Sequence, residues 1–210
     1  MLVYIIAVLA YGAAIAATTA AYWHYDRDHQ AGHTVPNRWS WLIWGVTTIV
    51  EALTFQAISE GATVIENVLK TSVFYVSGIC CILVTIRIWR KAEWKMPQWN
   101  EVISVIASLA AIVLWVIYHE AWWAHVVAIV AIPVSFIPSW IDARRNPEAE
   151  QSRAWGLWTL GDALTFGGIL LLIDTDKELP YIITEFGCHA AMWLLVWRTR
   201  LCATAKRLLA

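Results

Sequence analysis

"EALTF" at residues 51–55 and "DALTF" at residues 162–166 each place a carboxylate inside an otherwise apolar stretch, ahead of the same four residues, Ala-Leu-Thr-Phe. Whether these stretches cross a membrane decides the fold. The 210-residue chain is 60% hydrophobic and 15% charged, with 15 Trp, and its mean hydropathy is +0.57. Such a composition belongs to an integral membrane protein. A membrane span needs roughly 20 apolar residues. Seven segments qualify, at 2–23, 39–58, 63–87, 101–118, 122–141, 154–173 and 180–199. The expected fold class is therefore all-α, with seven transmembrane helices, and the lipid bilayer is the first partner. Segment 1 lacks the basic n-region of a signal peptide and is read as a retained helix, cleavage in its Ala-rich second half being the alternative.

Loop charge supplies an orientation. Arg27 and Arg38 follow helix 1; Arg87, Arg90, Lys91 and Lys95 follow helix 3; Arg144, Arg145 and Arg153 follow helix 5; Arg198, Arg200, Lys206 and Arg207 follow helix 7. The other side carries "SEGAT", "HEAWW" and "DTDKELP", with Lys177 alone. The positive-inside rule puts the N-terminus outside and the C-terminus in the cytoplasm, as expected for a prokaryotic inner-membrane protein. Trp94, Trp99, Trp122 and Trp123 suit the interfacial belts. A net charge of -1 argues against a nucleic-acid partner. Cys80, Cys81, Cys188 and Cys202 lack CxxC spacing and read as small buried residues, with neither disulfide nor zinc site indicated.

The chain repeats itself. Helix 2, "RWSWLIWGVTTIVEALTF", and helix 6, "RAWGLWTLGDALTF", both run from Arg through a Trp-x-x-Trp pair to an acid and Ala-Leu-Thr-Phe. Helices 3 and 7 share Gly-to-Cys stretches ending in Trp-Arg, and helices 1 and 5 both close on Trp, Asp and Arg. Three helices, one linker helix and three more follow: a 3+1+3 arrangement of two parallel triple-helix repeats, N-out and C-in. The units are residues 1–95, the linker 96–120 and residues 121–210. Parallel repeats of this kind occur in transporters whose substrate sites lie near the membrane midplane between the halves.

That topology, together with "VPNRWSWLIWG" at residues 35–45, resembles the SWEET and PQ-loop superfamily and, within it, bacterial SWEET-like proteins carrying a Trp-Leu-Ile-Trp signature. The resemblance implies a carrier for a small solute, sugar-like or otherwise, and makes Asn67 the counterpart of the asparagine that faces sugar on the third helix. The Pro-Gln dipeptide is absent from helices 1 and 5. Helix 1 has no proline, and helix 5 has Pro133 and Pro138.

Buried charge supplies the candidate site. Glu51 and Lys70 each lie about seven residues from the outer boundary, on neighbouring helices, or roughly 10 Å deep. Asp162 and His189 lie at about eleven and nine residues, again at matching depth. A charge at the bilayer centre costs at least ~2.5–3.5 kcal/mol and is expected to face the bundle with a partner. Two acid–base pairs are therefore expected, Glu51 with Lys70 and Asp162 with His189. They serve either as packing devices or as a binding or proton-coupled site, with His189 the titratable member. Trp41 and Trp44 of one repeat, and Trp155 and Trp158 of the other, either stack a flat ligand such as a sugar or nucleoside or anchor the interface. Gln56, Glu66, Asn67 and Glu185 are placed in an outer vestibule.

"HYDRDHQAGH", residues 24–33, has His24/Asp28 and His29/His33 at helical spacing but reads as a solvated connector rather than a metal site. His119 and His125 flank an outer turn without a metal or haem motif. A retinal protein would need a lysine in helix 7, which has none in its span. The chain has no nucleophile elbow, Ser-Lys dyad or HExxH, so neither an enzyme nor a cofactor is expected. The expectation is a SWEET-like transporter of a small polar or flat solute, sugar-like or nucleoside- or vitamin-like, with Glu51, Lys70, Asp162, His189, Asn67, Trp44 and Trp158 as site residues. The alternative is a non-transporting subunit of a larger membrane complex or a homo-oligomer.

Overall fold

The computed structural model describes residues 1–59, 63–91, 96–173 and 175–209. Trp94 and Lys95, expected at the inner boundary, lie outside them, as do Glu60, Gly61 and Ala62 of "SEGAT" and the side chains of Arg200, Cys202, Lys206 and Arg207. Seven α-helices and two short 3-10 turns make up the described chain, with no strand among the described residues. The helices are α1 (Leu2–Gln30), α2 (Arg38–Ile58), α3 (Val64–Lys91), α4 (Trp99–Val116), α5 (Ala121–Arg145), α6 (Ser152–Leu171) and α7 (Leu179–Leu209). The 3-10 turns precede α6 at Pro147–Ala149 and α7 at Asp176–Glu178.

Helix is the form that satisfies every backbone N–H and C=O within one segment, which hydrocarbon demands. Starts are written locally. Asn37, directly after Pro36, accepts from the amides of Trp39 and Ser40 through its side chain and opens α2. Thr63 and Glu66 form a reciprocal cap at the head of α3: Thr63 N–H donates to Glu66 Oε2 at 2.9 Å, and Glu66 N–H to Thr63 Oγ1 at 3.2 Å.

Among the described residues, six helices are long and apolar enough to cross a membrane. The fourth expected span is the shortest of the seven helices: α4 has 18 residues, about 27 Å against a hydrocarbon core of about 30 Å. Helix α1 runs to Gln30 rather than stopping near residue 23, so His24, Asp26 and Asp28 sit on a helix and not on a solvated connector. His24 and Asp26 are buried, and Asp26 pairs with Arg87 of α3.

Helices α1, α3, α2, α5, α7 and α6 each pack on the next, and α6 returns to α1; α4 lies against α5 and α2. The α1–α6 seam is made of small residues. Ala7, Ala14 and Ala21, seven apart, are fully enclosed. Opposite them, a methyl on Gly161 would stand 2.5 Å from Thr18 Oγ1, and one on Gly168 would stand 2.8 Å from the Tyr11 ring. Backbones that approach so closely gain dispersion along their whole length, the main attraction left once lipid removes the hydrophobic drive between helices.

The α2–α5 seam is polar instead. Ser40 Oγ donates to Ser135 O at 2.9 Å and Trp44 Nε1 to Ser135 Oγ at 2.7 Å. Pro133 and Pro138 lie inside α5, where each withholds an N–H from the carbonyl four residues earlier. Large apolar side chains such as Leu9 on α1, Ile106 and Leu109 on α4 and Leu194 on α7 point away from the protein, as a lipid-facing surface requires.

Candidate functional site

The two Trp-x-x-Trp pairs meet. On α2, Trp41, Thr48 and Phe55 repeat every seven residues and are all buried, which defines the inward face. On α6, Trp158 and Thr165 stand seven apart, with Trp155 one turn before them, and all three are buried. Trp41 and Trp155 are each 1% exposed and Trp158 is 3% exposed, so interfacial anchoring, one of the two expectations for these residues, is overturned. Their distance from the helix ends misled because loops cover those ends. Val35 N–H donates to Ala149 O at 3.0 Å, joining the loop after α1 to the turn after α5.

The rings interlock edge to face. Tyr22 lies 5.0 Å from Trp158 at 78°, Trp155 lies 4.9 Å from Trp158, and Trp44 lies 4.6 Å from Phe136. Offset and T-shaped contacts of this kind place ring edges against π-faces. Glu150, 7% exposed, closes one end of the cluster, accepting from Tyr25 Oη at 3.3 Å and from Trp155 Nε1 at 3.1 Å. Tyr25 Oη in turn accepts from Trp41 Nε1 at 3.2 Å.

The aromatic cluster and α7 enclose a cavity of about 30 Å³, lined by Tyr22, Trp41, Trp44, Phe136, Trp155, Trp158, Ser77, Glu185 and His189 among others. A neighbouring cavity of about 20 Å³ shares Ser77, Trp158, Glu185 and His189 and adds Asp162 and Tyr181. A buried water needs roughly 10–15 Å³, so each space has room for a water or two and for no larger solute as the rings stand. Tyr22 and Ser77 are hydrogen-bonded across it at 2.8 Å.

Asp162 and His189 are in contact: Nδ1 lies 2.7 Å from Asp162 Oδ2. The same nitrogen lies 3.6 Å from Glu185 Oε2, one helical turn back on α7, and the imidazole stacks on Trp158 at 17° and 5.6 Å. Glu185 was expected in an outer vestibule. It belongs to the central cavity, with Oε1 accepting from Tyr181 Oη at 3.3 Å. Its i, i+4 relation to His189 was the signal that would have placed it there. Trp158 Nε1, buried between the two cavities, has no hydrogen-bond acceptor.

Glu51 and Lys70 do not pair. Glu51 Oε2 stands 2.7 Å from His125 Nδ1 on α5, with both side chains fully enclosed, and Thr54 Oγ1 lies 3.1 Å from the same nitrogen. Lys70 donates to both oxygens of Glu178 in the turn before α7, at 3.0 and 3.1 Å, again fully buried. Equal depth supplied one coordinate. The direction each side chain takes around its helix supplied the others, and it sends Glu51 across the α2–α5 seam and Lys70 toward α7.

His125 and Glu178, the true partners, belong by sequence to an outer turn and an outer loop. His125 is enclosed whereas His119 is exposed with φ of 55°, so they do not act as a pair. Asn67 is also off the cavity: it is half-buried near the head of α3, donating to Gln56 O at 3.2 Å. Of the seven expected site residues, Trp44, Trp158, Asp162 and His189 come together. Glu51, Lys70 and Asn67 do not join them. No protein-family model, curated protein or solved structure matches this chain.

Proposed function

We propose that the chain is a small SWEET-like membrane carrier that moves a small polar or flat solute between two three-helix halves. The observation that carries this reading is the convergence of two Trp-x-x-Trp pairs, from distant parts of the sequence, on one cavity that also holds His189 and Glu185. Apolar walls with a few convergent polar groups are the usual character of a small-molecule site. The helix order supports the 3+1+3 reading. Exchanging α1 with α5, α2 with α6 and α3 with α7 turns the α1–α6 contact into α5–α2, α1–α3 into α5–α7, and α2–α3 into α6–α7, all of which occur. The linker α4 stands outside this exchange. In this reading the occluded cavity is one state of a cycle, the N-terminus faces outside, and the membrane is a prokaryotic inner membrane.

The rival reading, a non-transporting subunit of a larger complex, draws on the closed cavity and on α1 lacking a proline to match those of α5. Uptake into proteoliposomes decides between them. A panel of labelled sugars, nucleosides and vitamin-like heterocycles is expected to yield at least one saturable flux that Trp158→Ala abolishes. No flux for any solute, with a stoichiometric membrane partner co-purifying, defeats the carrier.

A further inference from the structure

The geometry points to flat organic cations as the solute class of the central cavity, an assignment that rests on the carrier reading and sharpens it. Charge is the first observation. The described residues lining the two adjoining cavities include the carboxylates of Glu185 and Asp162 and no lysine or arginine. The only side chain there able to carry positive charge is His189, and its Nδ1 is already held 2.7 Å from Asp162. Lys70, the one lysine deep in a span, is engaged by Glu178 at 3.0 Å. Two acids thus face one imidazole, and an anionic solute would be repelled in a medium that screens little.

The second observation is what the walls present. Six aromatic rings from four helices surround the larger cavity, and π-faces attract a desolvated cation by about 0.5–2 kcal/mol each. Trp158 and the His189 ring present near-parallel faces, 17° apart at 5.6 Å between centroids, which suits a planar heterocycle better than a tetrahedral ammonium.

The third observation is unused hydrogen-bonding capacity. Trp158 Nε1, on a residue 3% exposed, has no acceptor. Buried donors are nearly always satisfied, and this one belongs to a residue that lines both cavities. Glu185 Oε2 faces His189 at 3.6 Å, beyond hydrogen-bond length, and is open to a ligand N–H or positive ring. A planar cation with one acceptor group answers both.

The test uses purified full-length protein in detergent and a ring-matched set: 1-methylquinolinium (cation), quinoline (neutral at pH 7.5) and quinaldate (anion), with tetramethylammonium and sodium chloride as further probes. Binding is read by calorimetry against protein-free micelles and by thermal stabilisation. Methylquinolinium is expected to bind at least tenfold tighter than quinoline, with quinaldate weakest. Glu185→Gln should remove most of that tenfold preference, with unchanged far-ultraviolet circular dichroism certifying the fold of the variant. Trp158→Phe, which keeps a ring and loses the N–H, should leave the methylquinolinium preference intact and weaken ring-matched ligands bearing a carbonyl severalfold.

Equal affinity for cation and neutral ring, a preference that survives Glu185→Gln, or equal stabilisation by sodium or tetramethylammonium alone would overturn the assignment. If instead a neutral solute is taken up through a Trp158-dependent flux, the carrier stands and the cation assignment falls. Binding of the cation without flux of any solute preserves the assignment and removes the carrier.

Discussion

Lys70 and Glu178 offer the sharpest energetic test, because both side chains are fully enclosed and the pair is bidentate at 3.0 and 3.1 Å. At 3.0 Å and an effective dielectric of about 20, the attraction is about 5.5 kcal/mol, against a desolvation penalty of several kcal/mol for each ion. The pair therefore contributes little net stability, and each partner exists to neutralise the other. Lys70→Met removes the cation, keeps the volume and strands a carboxylate in a dry site, at a cost of about 3–5 kcal/mol. For a chain of this size that corresponds to a drop in Tm of about 6–20 °C.

The double variant Lys70→Met/Glu178→Leu removes both charges and should return to within about 1 kcal/mol of the wild type. Unfolding in detergent by SDS titration, followed by circular dichroism, measures all four corners of the cycle. A single variant within 0.5 kcal/mol of wild type would refute the reasoning, because a carboxylate left without its cation would then be costing nothing; so would a double variant as unstable as the sum of the singles, for that means the two residues act independently.

Gly168→Leu should unzip α1 from α6, since a first methyl already stands 2.8 Å from Tyr11; a loss of at least 2 kcal/mol in the same titration is expected, whereas Gly167→Leu, where nothing lies within 4 Å, should be tolerated. His125→Ala leaves Glu51 enclosed without its 2.7 Å neighbour and should cost about 3–5 kcal/mol, most of it restored in Glu51→Gln/His125→Ala. Glu150→Ala strips the acceptor from Tyr25 and Trp155 and should shift near-ultraviolet circular dichroism while costing about 2–4 kcal/mol. For the carrier, His189→Gln should flatten the pH dependence of whatever flux is found, as it removes the titratable ring between Asp162 and Glu185.

The helices were legible because apolar runs interrupted by polar loops carry their own length scale, and all seven lie where those runs do. The extension of α1 was not, since a polar last turn such as that at His24–Gln30 stays helical when Asp26 finds Arg87 on a neighbour. For the site, Asp162 and His189 were readable from matching depth on consecutive helices, which are also neighbours in space. Glu51 followed the same rule and failed, because its partner came from α5, a helix distant in sequence. The tryptophans lay within two turns of the helix starts, where counting alone suggests the interface, and only the seven-residue spacing of Trp41, Thr48 and Phe55 betrayed an inward face.

The two seams have opposite requirements during synthesis. The alanine stripe of α1 is at ease in lipid and is able to wait for α6. The carboxylate of α2 is not, and its partner belongs to α5, which emerges some 70 residues later, as the Thr54–His125 separation of 71 shows. In the interval, a nascent chain holding only its first helices carries Glu51 without the side chain that shelters it. Insertion of this protein is thus a problem of timing: the polar seam sets when α5 must arrive, the small-residue seam tolerates the wait for α6, and Lys70 waits longer than Glu51, for Glu178 108 residues on.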